Sequence, residues 1–115
     1  ATVTNWLGLP RAGKATITYS ASMTPDASAA PLQVITVTNG TAFTINAPTR
    51  ARTGNSFTLQ IKNSSGGAMG VITWDAIFAR SAWTNPANGQ NRSLTFVYDG
   101  TFWVQVSQTG ADIPN

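Results

Sequence analysis

Four aspartates, Asp26, Asp75, Asp99 and Asp112, are the whole acidic complement of a 115-residue chain that has no Glu, no His and no Cys. Acid–base chemistry on such a chain could use only paired carboxylates, of the kind that cleave a glycosidic bond. Asp99 stands in the turn Tyr98-Asp99-Gly100 and Asp112 in a polar tail, which leaves Asp26 and Asp75 as candidates. Both fall in loop segments, where Asp ordinarily bonds neighbouring backbone. Without Cys or His there are no disulfides, no thiolate or imidazole metal sites and no nucleophile–histidine pair. Four dispersed carboxylates do not have the spacing of a hard-cation loop. The sequence thus reads as a non-enzymatic protein with no catalytic residue, no cofactor and no metal.

Binding chemistry is better represented. Four Trp in 115 residues is generous, and flat aromatics beside Asn and Thr can hold a carbohydrate. Trp74 lies in an apolar run and belongs to the core, so Trp6, Trp83 and Trp103 are the ones free to stack on a sugar. The seven cations, Arg11, Lys14, Arg50, Arg52, Lys62, Arg80 and Arg92, are scattered singly apart from the Arg50/Arg52 pair. Nucleic-acid binding requires a dense basic face that neutralises several phosphates together, so no nucleic-acid partner is expected. Nor does any stretch approach the ~20 apolar residues of a membrane span. Charged residues make up 10% of the chain, against about 25% in typical domains. They are replaced by 17 Thr, 9 Ser and 9 Asn. A surface so poor in charge is weakly protected against association, which points to a permanent place in an assembly.

The elements that position these side chains are strands. Apolar and polar residues alternate with period two in 16–20, 33–38, 42–46 and most regularly in Ser56-Phe57-Thr58-Leu59-Gln60-Ile61-Lys62. β-branched residues dominate these runs, and no helical period of useful length occurs. The expected fold is all-β: an antiparallel β-sandwich, jelly-roll-like, of about seven or eight short strands in a single domain. Residues 16–107 form the sandwich, 1–15 an extended N-terminal arm and 108–115 a C-terminal tail. Asn39-Gly40 is a hairpin signal between the strands 33–38 and 42–46, with Phe43 and Ile45 inward. From Asp75 to Arg92 runs a long patternless connection, and connections of that length usually do something. Phe78 and Trp83 within it are expected to plug the end of the sandwich, with subunit contact or ligand stacking as the other role. Arg50 and Arg52 are further candidate loop contacts.

The last hairpin, 93–98 with 101–106, turns on Asp99-Gly100. A three-residue loop with Gly100 in the left-handed region pairs Phe96 with Phe102. It gathers Leu94, Phe96, Phe102, Val104 and Val106 on the core face. Thr95, Val97, Thr101, Trp103 and Gln105 then lie outside, so Val97 and Trp103 form an apolar outer pair, a candidate partner surface. Trp6, Leu7 and Arg11 of the arm are candidate contacts to neighbouring subunits.

One resemblance covers residues 33–106. Its pieces are Phe43-Thr44-Ile45-Asn46-Ala47-Pro48-Thr49, then 54–61, an Asn-Ser-Ser-Gly-Gly connection, Val71-Ile72-Thr73-Trp74 and, most specific, the closing Tyr98-Asp99-Gly100-Thr101-Phe102-Trp103. Together they resemble a recurring module of tailed-bacteriophage and prophage virion proteins. The resemblance implies a trimeric β-sandwich or jelly roll on the virion surface, without a catalytic motif, found both as capsid decoration and as tail-fibre tip. Thr49-Arg50-Ala51-Arg52-Thr53 departs from it, since a more neutral loop belongs there. A chain of this length, with no stalk and an Ala1 that fits removal of an initiator Met, favours the first role. The expectation is a homotrimeric capsid decoration (cement) protein bound to the major capsid protein or other virion proteins. The alternative is a receptor-binding fibre tip that recognises cell-surface glycans.

Overall fold

The computed structural model describes residues 13–115 and is all-β, with no helix among them. Ten strands succeed one another: β1 Lys14–Ile17, β2 Ser22–Met23, β3 Leu32–Val37, β4 Phe43–Ile45, β5 Ser56–Asn63, β6 Ile72–Trp74, β7 Phe78–Ala79, β8 Gln90–Tyr98, β9 Trp103–Gln108 and β10 Ile113–Pro114. The larger sheet has the order β1-β3-β5-β8-β9-β7, with β10 also pairing β8, and the smaller has the order β2-β4-β6. One core of buried apolar side chains is shared by both sheets.

The first half of the chain winds through three similar passes. Each pass lays one strand in the large sheet and the next in the small one, so β1, β3 and β5 run parallel, as do β2, β4 and β6. Parallel stacking puts like on like: Ile17, Ile35 and Ile61 form one ladder across the large sheet, and Met23, Ile45 and Trp74 another across the small one. Burial of such ladders, at roughly 25 cal/mol per Å² of apolar surface, is what holds the passes together. Among the described residues, the antiparallel pairing expected throughout holds only where β8 meets β5, β9 and β10.

Two sequence expectations fail for related reasons. Asn39-Gly40 does not close a hairpin, because β3 and β4 lie in different sheets. A two-residue hairpin turn of the favoured type needs positive φ in its centre, and neither residue has it. Asn39 instead builds a corner: its Oδ1 accepts from the Thr41 N–H at 2.9 Å and the Tyr19 hydroxyl at 2.8 Å, while Tyr19 meets Phe43 edge-on at 5.4 Å. The next corner presses against this one so closely that a Cβ on Gly70 would lie 2.4 Å from the Ala42 nitrogen.

The final hairpin adopts a different register. Asp99 Oδ1 accepts from the N–H groups of Thr101 (2.8 Å) and Phe102 (2.7 Å), and the Asp99 N–H bonds the Phe102 carbonyl at 3.0 Å. The loop therefore includes Phe102, and Trp103 pairs with Tyr98. Phe96, expected opposite Phe102, lies opposite Gln105, a shift of three residues, and any odd shift exchanges the faces of a strand. Trp103 is fully buried while Phe102 and Val106 are exposed, Val106 at an irregularity between Gln105 and Ser107. The outer partner of Val97 is Val104, not Trp103. At the chain ends, β1 already begins within the segment assigned to an arm, and the tail returns to its own domain, Ile113 pairing with Asn91.

Candidate functional site

A concave site lies along the edge of β6 that pairs with no strand among the described residues. The Val71 carbonyl accepts from the Phe43 N–H, and the Asp75 N–H donates to the Ile45 carbonyl. Alternate residues of a strand direct their backbone groups to opposite edges, so those of Ile72 and Trp74 face away from β4. Beyond Trp74 the chain bends sharply: Asp75 Oδ1 accepts from the Ile77 N–H at 2.9 Å and the Asp75 carbonyl from the Phe78 N–H at 3.1 Å. β7 then docks in parallel beside β9, and the segment 80–89 returns across the edge of β6.

That returning segment is pinned at several points. Asn85 Nδ2 donates to the Gly70 carbonyl (3.1 Å), and the fully buried Asn63 donates to the carbonyl of Pro86 (2.9 Å). Asn88 Oδ1 accepts from the Gly66 N–H at 2.9 Å, and Asp112 Oδ2 from the Ala87 N–H at 3.2 Å. Between this segment and β6 opens a cleft of about 250 Å³ lined by Val71, Ile72, Trp74, Arg80, Trp83 and Asn85. A neighbouring depression, lined by Met69, Pro86 and Asn88 among others, shares Asn85 with it.

Two indoles form the walls. Trp74 and Trp83 stand 5.8 Å apart at an interplanar angle of 68°, and the Trp83 Nε1–H donates to Asn85 Oδ1 at 2.8 Å. The Arg80 guanidinium lies 4.8 Å from the Trp74 ring centroid, within the range of a cation–π contact. Its Nη1 donates to the Ser81 carbonyl at 3.1 Å, whereas its Nε is buried with no hydrogen-bond partner among the described residues. Burial pulls the Arg80 pKa below its ordinary value, the mark of a charge incompletely solvated. Trp, Arg, Asn, Val and Ile include no group that moves a proton near neutral pH; what the lining offers is stacking surface, amide hydrogen bonds and a positive charge.

The other candidates are dispersed. Phe78 is buried in the core, in contact with Trp74 and Phe96, and Trp83 is half-buried in the cleft wall. Trp103 is a core residue rather than an outer contact, packed between Phe57 and Tyr98. Val97 is half-buried on the outer face, opposite Ser56 and Val104. Arg50, in the left-handed region at φ 57°, pairs with Asp26 at 2.5 Å, and Arg52 is exposed nearby. Trp6, Leu7 and Arg11 lie outside the described residues. Asp26 and Asp75 each bond local N–H groups, those of Ser28 and Ile77, and no group of three acidic side chains able to hold a metal ion forms among the described residues.

Arg80 and Asn85 were not singled out by sequence reasoning. A signal existed in the run Trp74 to Asn85, where an isolated Arg stands between two Trp and an amide follows the second. No known protein family, no curated protein and no solved structure matches the chain.

Proposed function

We propose that this chain is a non-enzymatic structural protein of a tailed-phage virion, a homotrimeric capsid decoration (cement) protein that stabilises the head. The observation that carries the reading is the outer face of the large sheet. By register, Thr16, Leu32, Thr36, Thr58, Gln60, Ser93, Thr95, Val97 and Val104 share that face, and the charges among these strands' outward positions are Lys14 and Lys62. The Thr58 and Thr95 hydroxyls bond each other at 2.8 Å, and the centre of the face is neutral. Such a face lacks the charges that keep small domains apart, and closed symmetric association is the usual way to cover it. Two layers around one core also suit the sandwich-type module the sequence resembles. A protein of this kind acts by linkage: it binds the assembled shell better than the free subunits and so stabilises the shell.

Sedimentation equilibrium tests the reading. The expected species is three times the 12.1 kDa protomer, reduced to monomer by Val97→Glu, with co-sedimentation on purified undecorated phage capsids. A wild-type monomer that ignores capsids overturns it.

A second reading, the glycan-recognising tip of a tail fibre, is favoured by one observation: the cleft between Trp74 and Trp83.

A further inference from the structure

Each of the four Asp in the chain already has an occupation. Asp26 pairs with Arg50 and Asp112 with Arg92, while Asp75 and Asp99 accept from backbone N–H groups in their own turns. Arg80 is left without a carboxylate among the described residues, although it is half-buried and stacked on Trp74. Its Nε is buried and its Nη1 already donates to the Ser81 carbonyl, so the remaining hydrogens of the Nη1/Nη2 end are the donors left for a planar carboxylate. The missing countercharge is a property of the cleft itself.

The far wall of the cleft is braced by hydrogen bonds. Trp83 is held by Asn85, which is held in turn by the Gly70 carbonyl, so the indole faces are set before any ligand arrives and little ordering remains on binding. Asn85 keeps a second amide hydrogen and a second lone pair, and the Ile72 and Trp74 backbone groups point to the same side. These are partners for hydroxyl groups. At about 250 Å³ the cleft is smaller than the roughly 300–1,000 Å³ of sites that enclose drug-sized ligands, and its scale is that of one ring. Val71, 72% exposed at the mouth, adds apolar surface for a ring's C–H face.

We propose that this cleft binds an acidic sugar, a pyranose bearing a carboxylate, with the ring stacked on Trp83 and the carboxylate paired to Arg80. A neutral sugar would leave Arg80 unpaired, and a polyphosphate would require several cations where the cleft has one. The proposal deepens the glycan reading and is independent of the oligomeric one. A trimer that binds no acidic sugar overturns it and leaves the decoration role standing; a monomer that binds one does the reverse.

The test is an NMR titration of the intact chain, following the indole N–H signals. The probes are methyl β-D-glucuronide and a methyl α-sialoside, with methyl β-D-glucoside as the neutral control. At least one acid is expected to shift the Trp83 and Trp74 signals while the buried Trp103 signal stays in place and reports an intact fold. That acid should bind about tenfold more tightly than the glucoside, since charge-assisted hydrogen bonds exceed neutral ones by roughly that factor, and its affinity should fall with added salt. Arg80→Gln should remove the preference for the acid, and Arg80→Lys should retain part of it. Should Arg80→Gln lose the Trp103 signal, the comparison of Arg80→Lys with wild type decides, a loss of bidentate pairing being expected. No response to either acid, equal affinity for acid and glucoside, or a preference untouched in a folded Arg80 variant overturns the proposal.

Discussion

The Trp103 indole meets the Phe57 ring edge-on, with centroids 5.0 Å apart and planes at 80°. This contact ties β9 to the interior of β5 across β8, and it exists because the Asp99 loop takes in Phe102. Among the described residues Trp103 is the largest fully buried side chain, and its Nε1 has no hydrogen-bond partner there.

Truncation at this position should therefore be severe and conservative replacement mild. Trp103→Ala is expected to cost about 3–5 kcal/mol. Trp103→Phe should cost less than its volume loss suggests, because it removes an unsatisfied buried donor. Urea denaturation of both variants checks the order. Equal losses would show that the indole N–H is satisfied after all.

Gly70 sits where two corners of the winding touch. An added Cβ would meet the backbone of Thr41 and Ala42 at 2.4 Å, and backbone yields less readily than a side chain. Gly70→Ala should lower stability by more than about 2 kcal/mol, in the range of overpacked cores. It should also weaken the hold of Asn85 on the Gly70 carbonyl, visible as faster hydrogen exchange of the Trp83 indole N–H.

Asn63 braces the connection from β5 to β6. Its Nδ2 donates to the carbonyls of Gly67 (3.0 Å) and Pro86 (2.9 Å), and its Oδ1 accepts from the Ser65 N–H (3.0 Å) and hydroxyl (2.7 Å). Asn63→Leu leaves these groups without their partner, and a loss of about 3 kcal/mol is expected at 1–3 kcal/mol per stranded buried group. Thermal or chemical melts measure it, and a neutral result would mean that water replaces the amide.

On the acid side of neutrality, stability should depend on pH through three carboxyls. The Asp112 carboxyl is held below the ordinary 3.8 chiefly by the Arg92 side chain, then by the Ala87 N–H. The Phe102 and Thr101 N–H groups do the same for Asp99, and the Ser28 N–H, then its hydroxyl, for Asp26. Because each folded pKa lies below the unfolded one, the unfolded chain takes up protons first as pH falls. The stabilisation is complete above the unfolded value and is lost as pH drops through the folded value. With no His or Glu in the chain, melting temperatures should be nearly level from about pH 5 to 8 and decline below about 4. Asp112→Asn should flatten part of that decline.

The outward pair Val97 and Val104, adjacent across β8 and β9, gives a separate handle on association. Val97→Glu adds a charge to a half-buried neutral face and should leave the core intact, since the inward neighbours Phe96 and Leu94 are untouched. Far-ultraviolet circular dichroism unchanged from wild type, together with a lower sedimentation mass, is the expected result.

Much was legible from the residues alone. Period-two alternation with β-branched residues identified the strands, and in 42–46 it assigned Phe43 and Ile45 to the interior, where both are buried. The lack of His, Cys and Glu removed imidazole, thiolate and glutamate chemistry from the chain. What the tertiary structure decided was which strand lies beside which. Backbone hydrogen bonding is blind to side-chain identity, so an alternating run is equally suited to a parallel or an antiparallel neighbour. Ile17, Ile35 and Ile61 choose the parallel stack by aligning their burial, and no spacing along the chain announces it. Trp103 shows the same limit at finer scale: Asp99 Oδ1, by accepting one further backbone N–H, lengthened a loop and moved a tryptophan from the outer face to the core. Arg80 and Trp74 met for the same reason, because a bend at Asp75 returned the chain across an edge that sequence distance does not reveal.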